Sequence, residues 1–225
     1  RRWKMLGHSP NEWAFEHLWG RPERFIVGTT GRQVGKSSEA KMRIDWGLNK
    51  PADLEDRSEY PDIPAVGVLG SKYEKAEISV GKYIEAITRT FGTSSYHLNQ
   101  NDHILTVRDP RVGVPGATLR WMSAEDAYNS VGFTFSHLVI DEAQAIPDDV
   151  YTKFRPTWGV RRATADIFGP PDTLVYQTWF QGLFGNGQNA LDPNYHSFSV
   201  PTWDAPGMTM EEILDAKRTM SDREF

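Results

Sequence analysis

The chain has 225 residues, 39% of them hydrophobic, with eight Trp, no Cys and a formal net charge of −5. That length suits one α/β domain with a small appended piece, and that apolar content supports a packed core over a disordered chain. No apolar run approaches the ~18 residues that span a bilayer, disulfides and thiolate metal sites are excluded, and the acidic balance argues against bulk coating of nucleic acid. The start, Arg1-Arg2-Trp3-Lys4, has no apolar stretch behind it that would make a signal peptide, and the absence of an initiating Met suggests a fragment.

In chain order, Arg24 to Val27 is a strand candidate ending in the turn Gly28-Thr29-Thr30-Gly31, followed by helix from about Lys36 to Leu48. Residues 49–63 carry Pro-punctuated acidic clusters and read as a solvated loop. Ala65 to Leu69 is a second strand, after which Ser71 and Glu74 have capping-box spacing. Ala76, Val80, Tyr83, Ile84, Ile87 and Phe91 then recur at helical spacing. His103 to Arg108 and Ala117 to Met122 look like strands, with turn signals at Asp109-Pro110 and Pro115-Gly116. Phe135 to Ile140 is a short buried strand ending in two acids, and Asp172 to Thr178 repeats that pattern. Gly182 to Asn194, rich in Gly and Asn, reads as a mobile loop. His196 to Val200 is a last strand candidate, and a helix begins at Thr209, which forms a capping box with Glu212. Strands alternating with helices predict an α/β fold with a mainly parallel sheet flanked by helices. The expected division is a core over 1–182 and a small lid or linker over 183–225.

Gly31-Arg32-Gln33-Val34-Gly35-Lys36-Ser37, with Ser38 behind it, lies between a strand and a helix, the context that makes a glycine-rich turn a phosphate-binding loop. Backbone amides there would face the phosphates of ATP, Lys36 would reach the β- and γ-phosphates, and Ser37 would ligate Mg²⁺. The pattern is imperfect, because its first Gly belongs at position 30, which is Thr30, and Gly31 stands one place late. The competing reading is an ordinary glycine turn. Leu138-Val139-Ile140-Asp141-Glu142 is a strand ending in two carboxylates. In phosphoryl-transfer ATPases the first acid holds Mg²⁺ and the second acts as general base toward water. The competing reading is a pair of solvated charges. Each motif supplies what the other lacks, and together they point to an ATP-hydrolysing site.

The Arg32-Gln33 loop resembles the deviant phosphate loop of the large terminase subunit of tailed bacteriophages. Leu69-Gly70-Ser71-Lys72-Tyr73-Glu74-Lys75-Ala76 resembles that family's segment after its second strand, and Val139 to Ala143 its Asp-Glu-Ala box. Arg155-Pro156-Thr157 with Val160-Arg161, Thr178, and Pro201 to Phe225 resemble its helix-end turn, coupling position and linker. The resemblance implies a P-loop NTPase of the RecA/ASCE-like type that drives double-stranded viral DNA into a procapsid in the host cytoplasm. It implies a homo-oligomeric ring, commonly a pentamer, working on the portal with a small terminase subunit and without a membrane. It also implies that Arg32 contacts the γ-phosphate, that Thr178 couples phosphate loss to lid motion, and that a nuclease domain belongs after Phe225, outside this chain.

Three departures stand out. The segment Asn129-Ser130-Val131-Gly132 lacks the arginine that serves the family as a finger for a neighbouring subunit, and Arg120, Arg155, Arg161 and Arg162 are unranked substitutes. The adenine-reading Gln is replaced by Asn11-Glu12-Trp13-Ala14, which leaves Trp13 as a candidate to stack on the base. Gln177 to Gly182 is a poor copy of the coupling segment. Arg1, Arg2, Lys4, Arg21, Arg24, Arg161 and Arg162 are candidates for a DNA path or for solvated charge, and His97, His103, His137 and His196 lack metal-ligand spacing. Two other functions stay open: a helicase-like ATPase, which would need a second RecA-like lobe that 225 residues do not hold, and a nucleotide-binding ring subunit without turnover.

Overall fold

The computed structural model describes residues 2–31, 33–50, 63–129, 132–159, 161–170, 178–189, 192–205 and 208–219. Eight strands form one sheet: β1 (Phe25–Thr30), β2 (Ala65–Gly70), β3 (Tyr96–Asn99), β4 (Ile104–Val107), β5 (Thr118–Ser123), β6 (His137–Ile140), β7 (Thr164–Gly169) and β8 (Tyr195–Val200). Their order is β3-β4-β5-β2-β6-β7-β1-β8. From β5 to β8 every pairing is parallel, while β4 pairs antiparallel with both β3 and β5. One strand, β7, separates β1 from β6, the RecA/ASCE-like arrangement.

The helices are α1 (Arg2–Met5), α2 (Glu12–His17), α3 (Lys36–Asn49), α4 (Tyr73–Phe91), α5 (Ala124–Asn129), α6 (Asp148–Phe154), α7 (Trp179–Gln188) and α8 (Met210–Thr219). Successive strand residues face opposite sides, so the sheet divides the core in two. Ile26, Val66, Val68, Val139 and Phe168 share one cluster with side chains of α2, α3 and α4. Val27, Leu69, Leu138, Ile140 and Ile167 share the other with side chains of α5, α6 and α7. Burial on both faces explains why the central strands read as continuous apolar runs.

A buried ionic triad crosses the first layer. Asp166 of β7 accepts from Arg43 Nε at 2.5 Å and Nη2 at 3.1 Å, and its Oδ2 lies 3.2 Å from His137 Nε2 of β6. Arg43 also lies over the Trp46 ring, 4.2 Å from its centroid. α3 is thereby bound to the two strands on which its position depends.

Several elements differ from the sequence expectation. β1 continues through Gly28 to Thr30, because Gly28 is a packing residue: a Cβ there would lie 2.5 Å from the Phe198 ring. α4 begins after Lys72 without a side-chain cap, since the Ser71 hydroxyl bonds Glu142 instead. β3 and β7 are additional strands. Of the strand expected over 172–178, residues 172–177 fall outside the described residues, and Thr178 is a helix cap. The expected loop after Gly182 is mostly α7, closed by a reciprocal Thr178–Gln181 capping box and anchored through Trp179, Phe180 and Leu183. Gly187 lets α7 lie on β8, where a Cβ would come within 2.6 Å of the Ser197 nitrogen. β8, in the segment expected as a lid, pairs with β1 from Phe25↔Tyr195 to Thr30↔Val200, so the sheet extends past residue 182. The expected loop at 49–63 lies largely outside the described residues. Among those described, no helix is long and apolar enough to cross a membrane.

Candidate functional site

Parallel sheets place binding sites beyond the carboxyl ends of their strands. There the loop leaving β1 meets the acids leaving β6. Gly31 donates to the Val200 carbonyl at 2.7 Å, and a Cβ on it would lie 2.4 Å from the Thr202 nitrogen. The late glycine is therefore demanded by the chain that follows β8. Gln33 (φ 63°) and Gly35 (φ 88°) then turn through left-handed backbone to start α3.

The two motifs meet. Lys36 Nζ lies 2.8 Å from Asp141 Oδ1, and the same oxygen accepts from the Glu142 amide at 2.8 Å. Asp141 is buried, with its own amide bound to the Leu69 carbonyl. Glu142 has φ 55°, a costly conformation for a residue with a Cβ. That turn is what lets adjacent acids, which would otherwise point to opposite faces, serve one cleft. Its Oε1 lies 2.7 Å from Lys75 Nζ and its Oε2 accepts from Ser71 Oγ at 3.3 Å. The hydrogen bond and charge of Glu142 hold the Lys75 ammonium above its ordinary pKa. A cleft of about 560 Å³ joins Gly31, Gln33, Gly35, Lys36 and Ser37 to Glu142.

Lys75, Lys82 and Gln144 are site residues that motif reading did not assign; the last two line the cleft. Lys75 and Lys82 are seven apart on α4, and two-turn spacing on a helix was the available signal. Arg32 lies outside the described residues. Thr178 uses its hydroxyl to cap α7, accepting from the Gln181 amide. None of the four substitute arginines lines the cleft among the described residues. Arg120 lies over Phe133, Arg155 over Phe25 and Trp158, and Arg161 donates to the Ile63 carbonyl.

Trp13 does not await a base. It is buried, stacks on Phe198 at 5.6 Å, and donates from Nε1 to the Val34 carbonyl at 3.0 Å. Asn11 Nδ2 reaches the same carbonyl at 3.3 Å and the buried Glu39 carboxylate at 3.3 Å. Among the described residues no cluster of three or more His, Cys, Asp or Glu could hold a metal. The donors present, one hydroxyl and one carboxylate beside a glycine-rich loop, fit Mg²⁺, which takes few protein ligands and completes its shell with oxygens of substrate and water.

No protein-family model matches the chain. The large terminase subunit of Thermus phage G20c is 27% identical over 247 residues, covering 99% of this chain and 48% of that protein. That of Thermus virus P23-45 is 26% identical with the same coverage. The chain is similar to these phage large terminase subunits along nearly its whole length. It spans about half the length of these relatives. The Thermus phage P74-26 large terminase ATPase domain matches 99% of this chain and 93% of its own, with a TM-score of 0.76 at 23% identity. The large terminase of a thermophilic bacteriophage in complex with ATP-gamma-S matches 98% of this chain and 49% of its own, with a TM-score of 0.62 at 13% identity. The HK97 large terminase matches 96% of this chain and 45% of its own, with a TM-score of 0.67 at 13% identity. These structures share the terminase ATPase fold.

Proposed function

We propose that this chain is the ATP-hydrolysing motor domain of a phage large terminase, and that its turnover drives double-stranded viral DNA into a procapsid. The observation that carries the reading is the contact of Lys36 with Asp141 across the β7 position, with Glu142 opening into the same cleft. Amides of the loop and of the α3 N-terminus bind the phosphates. Lys36, neutralised by Asp141 while no phosphate is present, transfers its charge to the β- and γ-phosphates of ATP. Ser37 and Asp141 would hold Mg²⁺, which would supply positive charge to offset that of the phosphate oxygens. Glu142 accepts a proton from a water whose oxygen bonds to the γ-phosphorus in line, the bond from that phosphorus to the bridging oxygen breaks, and ADP and inorganic phosphate depart. Glu142 is available for this once Lys75 releases it.

The proposal extends to partners, a portal, a small terminase subunit and a homo-oligomeric ring, taken as a pentamer, in the host cytoplasm, and the similarity to phage large terminase subunits supports it. Arg32 as a γ-phosphate contact and Thr178 as a coupling residue belong to the same proposal. So does an arginine supplied by a neighbouring subunit. Steady-state ATP hydrolysis by the chain, by Lys36→Ala and by Glu142→Gln, over a range of protein concentrations, tests the reading. Turnover that is lost in both variants and rises per subunit with concentration supports it. Wild-type turnover no greater than that of Glu142→Gln at every concentration refutes it.

A further inference from the structure

The residues ahead of β1 do more than pack. Trp13 Nε1 and Asn11 Nδ2, both from the α2 region, converge on one acceptor, the Val34 carbonyl, at 3.0 and 3.3 Å. Val34 is fully buried, so this carbonyl is drawn toward the core. The peptide that follows is planar and trans, so its C=O and N–H point in opposite directions. Pinning the Val34 oxygen inward therefore turns the Gly35 amide outward, and Gly35 lines the nucleotide cleft. Among the described residues that amide has no acceptor. Gly35 itself is held close: a Cβ on it would lie 2.4 Å from Asn11 Nδ2.

A second layer holds the pin. The Glu39 carboxylate, fully buried in the first turn of α3, accepts from the Asn11 amide at 2.9 Å and lies 3.2 Å from His8 Nε2. It fixes the Asn11 side chain with its NH₂ toward Val34, because an oxygen there would face both a carboxylate and a carbonyl. Trp13 is fixed in turn by stacking on Phe198 of β8.

We propose that Asn11 and Trp13 are positioning residues for the phosphate site, aiming the Gly35 amide at the phosphates of a bound nucleotide by holding the Val34 carbonyl. This rests on the nucleotide-binding reading above and assigns the upstream segment to the phosphates instead of the base. An amide aimed at phosphate contributes alike to ground state and transition state, so its loss raises KM and leaves kcat nearly unchanged.

The test uses the 225-residue chain, ADP binding, ATP kinetics and a glycine-selective amide spectrum. Trp13→Phe removes the donor and keeps a ring on Phe198; the second variant adds Asn11→Ala. The double variant is expected to bind ADP about tenfold more weakly and to raise KM for ATP by the same factor, with kcat within about twofold. ADP should shift the Gly35 amide resonance in the wild type and much less in the double variant. Trp13→Phe alone should raise KM with kcat within about twofold, whereas a general loosening of the core would lower kcat as well. Unchanged ADP affinity, or a lowered urea midpoint with ADP affinity intact, overturns the proposal while leaving nucleotide binding in place. A wild-type chain that binds no ADP overturns both.

Discussion

The buried triad gives the sharpest quantitative expectation. Asp166 is buried beside Arg43 and His137, whose charges and hydrogen bonds outweigh desolvation and lower its pKa from 3.8 to about 2. A tenfold change in acidity corresponds to ~1.4 kcal/mol, so the folded state favours the carboxylate by about 2 kcal/mol. Asp166→Asn discards that preference and leaves the Arg43 guanidinium buried without its anion. Breaking such a pair by removing one partner costs about 3–5 kcal/mol, a large part of the ~5–15 kcal/mol that holds a domain. Urea unfolding of Asp166→Asn near neutral pH should show a loss of about 3 kcal/mol, with the denaturant slope unchanged. The wild type should also lose stability in acid. Because the folded pKa is depressed, the contribution of Asp166 is fully present above 3.8 and disappears as pH falls through about 2. The variant should lack that component. A loss under about 1 kcal/mol would refute the claim that the triad fastens α3 to β6 and β7, because uncompensated burial of Arg43 could not be so cheap.

Lys75→Ala should cost less than ~1 kcal/mol, because the Lys75 side chain is 44% exposed, yet raise ATP turnover a few-fold by freeing Glu142; a fall in turnover would show that Lys75 assists the base. Burial lowers the pKa of His137, and of His17 and His196, which face Glu16, Arg21 and Glu23. The unfolded chain therefore takes up protons near 6.5 that the folded chain refuses, and stability should fall as the pH drops from about 7 to 5, chiefly through His137. A melting temperature flat over that range would contradict the burial of these rings.

What the chain reveals unaided is what is local. The loop, α3, α4 and the Asp141-Glu142 strand end were legible because each is written in contiguous residues with a clear period or spacing. β7 was not, because Asp166 sits in the middle of its apolar run and makes Thr164 to Gly169 look like a loop. Only the distant Arg43 and His137 make that acid compatible with a buried strand. α7 was hidden by Gly182, Gly185 and Gly187, which carry poor helix propensity. Its Thr178–Gln181 box is readable in principle, but Thr178 fits equally well as the end of an apolar run that starts at Asp172. The support behind the loop left no trace, since its acceptor is a main-chain carbonyl that no residue type announces.

The irregular glycine spacing has a structural cause that changes how the loop should be read. Thr30, where the pattern wants its first glycine, is the last residue of β1, buried and opposite Val200 of β8. The sheet therefore extends one residue further toward the cleft, and the turn can start only at Gly31, where Thr202 leaves no room for a side chain. Fewer residues remain to reach α3, and the chain makes up the difference with left-handed backbone at Gln33 and Gly35. At Gln33 that conformation costs roughly 1–3 kcal/mol unless its surroundings enforce it. The two hydrogen bonds on the Val34 carbonyl, between those two positions, are suited to that enforcement. A loop shortened by its sheet thus needs an external brace. In this chain the brace is the segment ahead of β1, and the departures from the usual motif at Thr30 and at Asn11-Glu12-Trp13 become two sides of one adjustment.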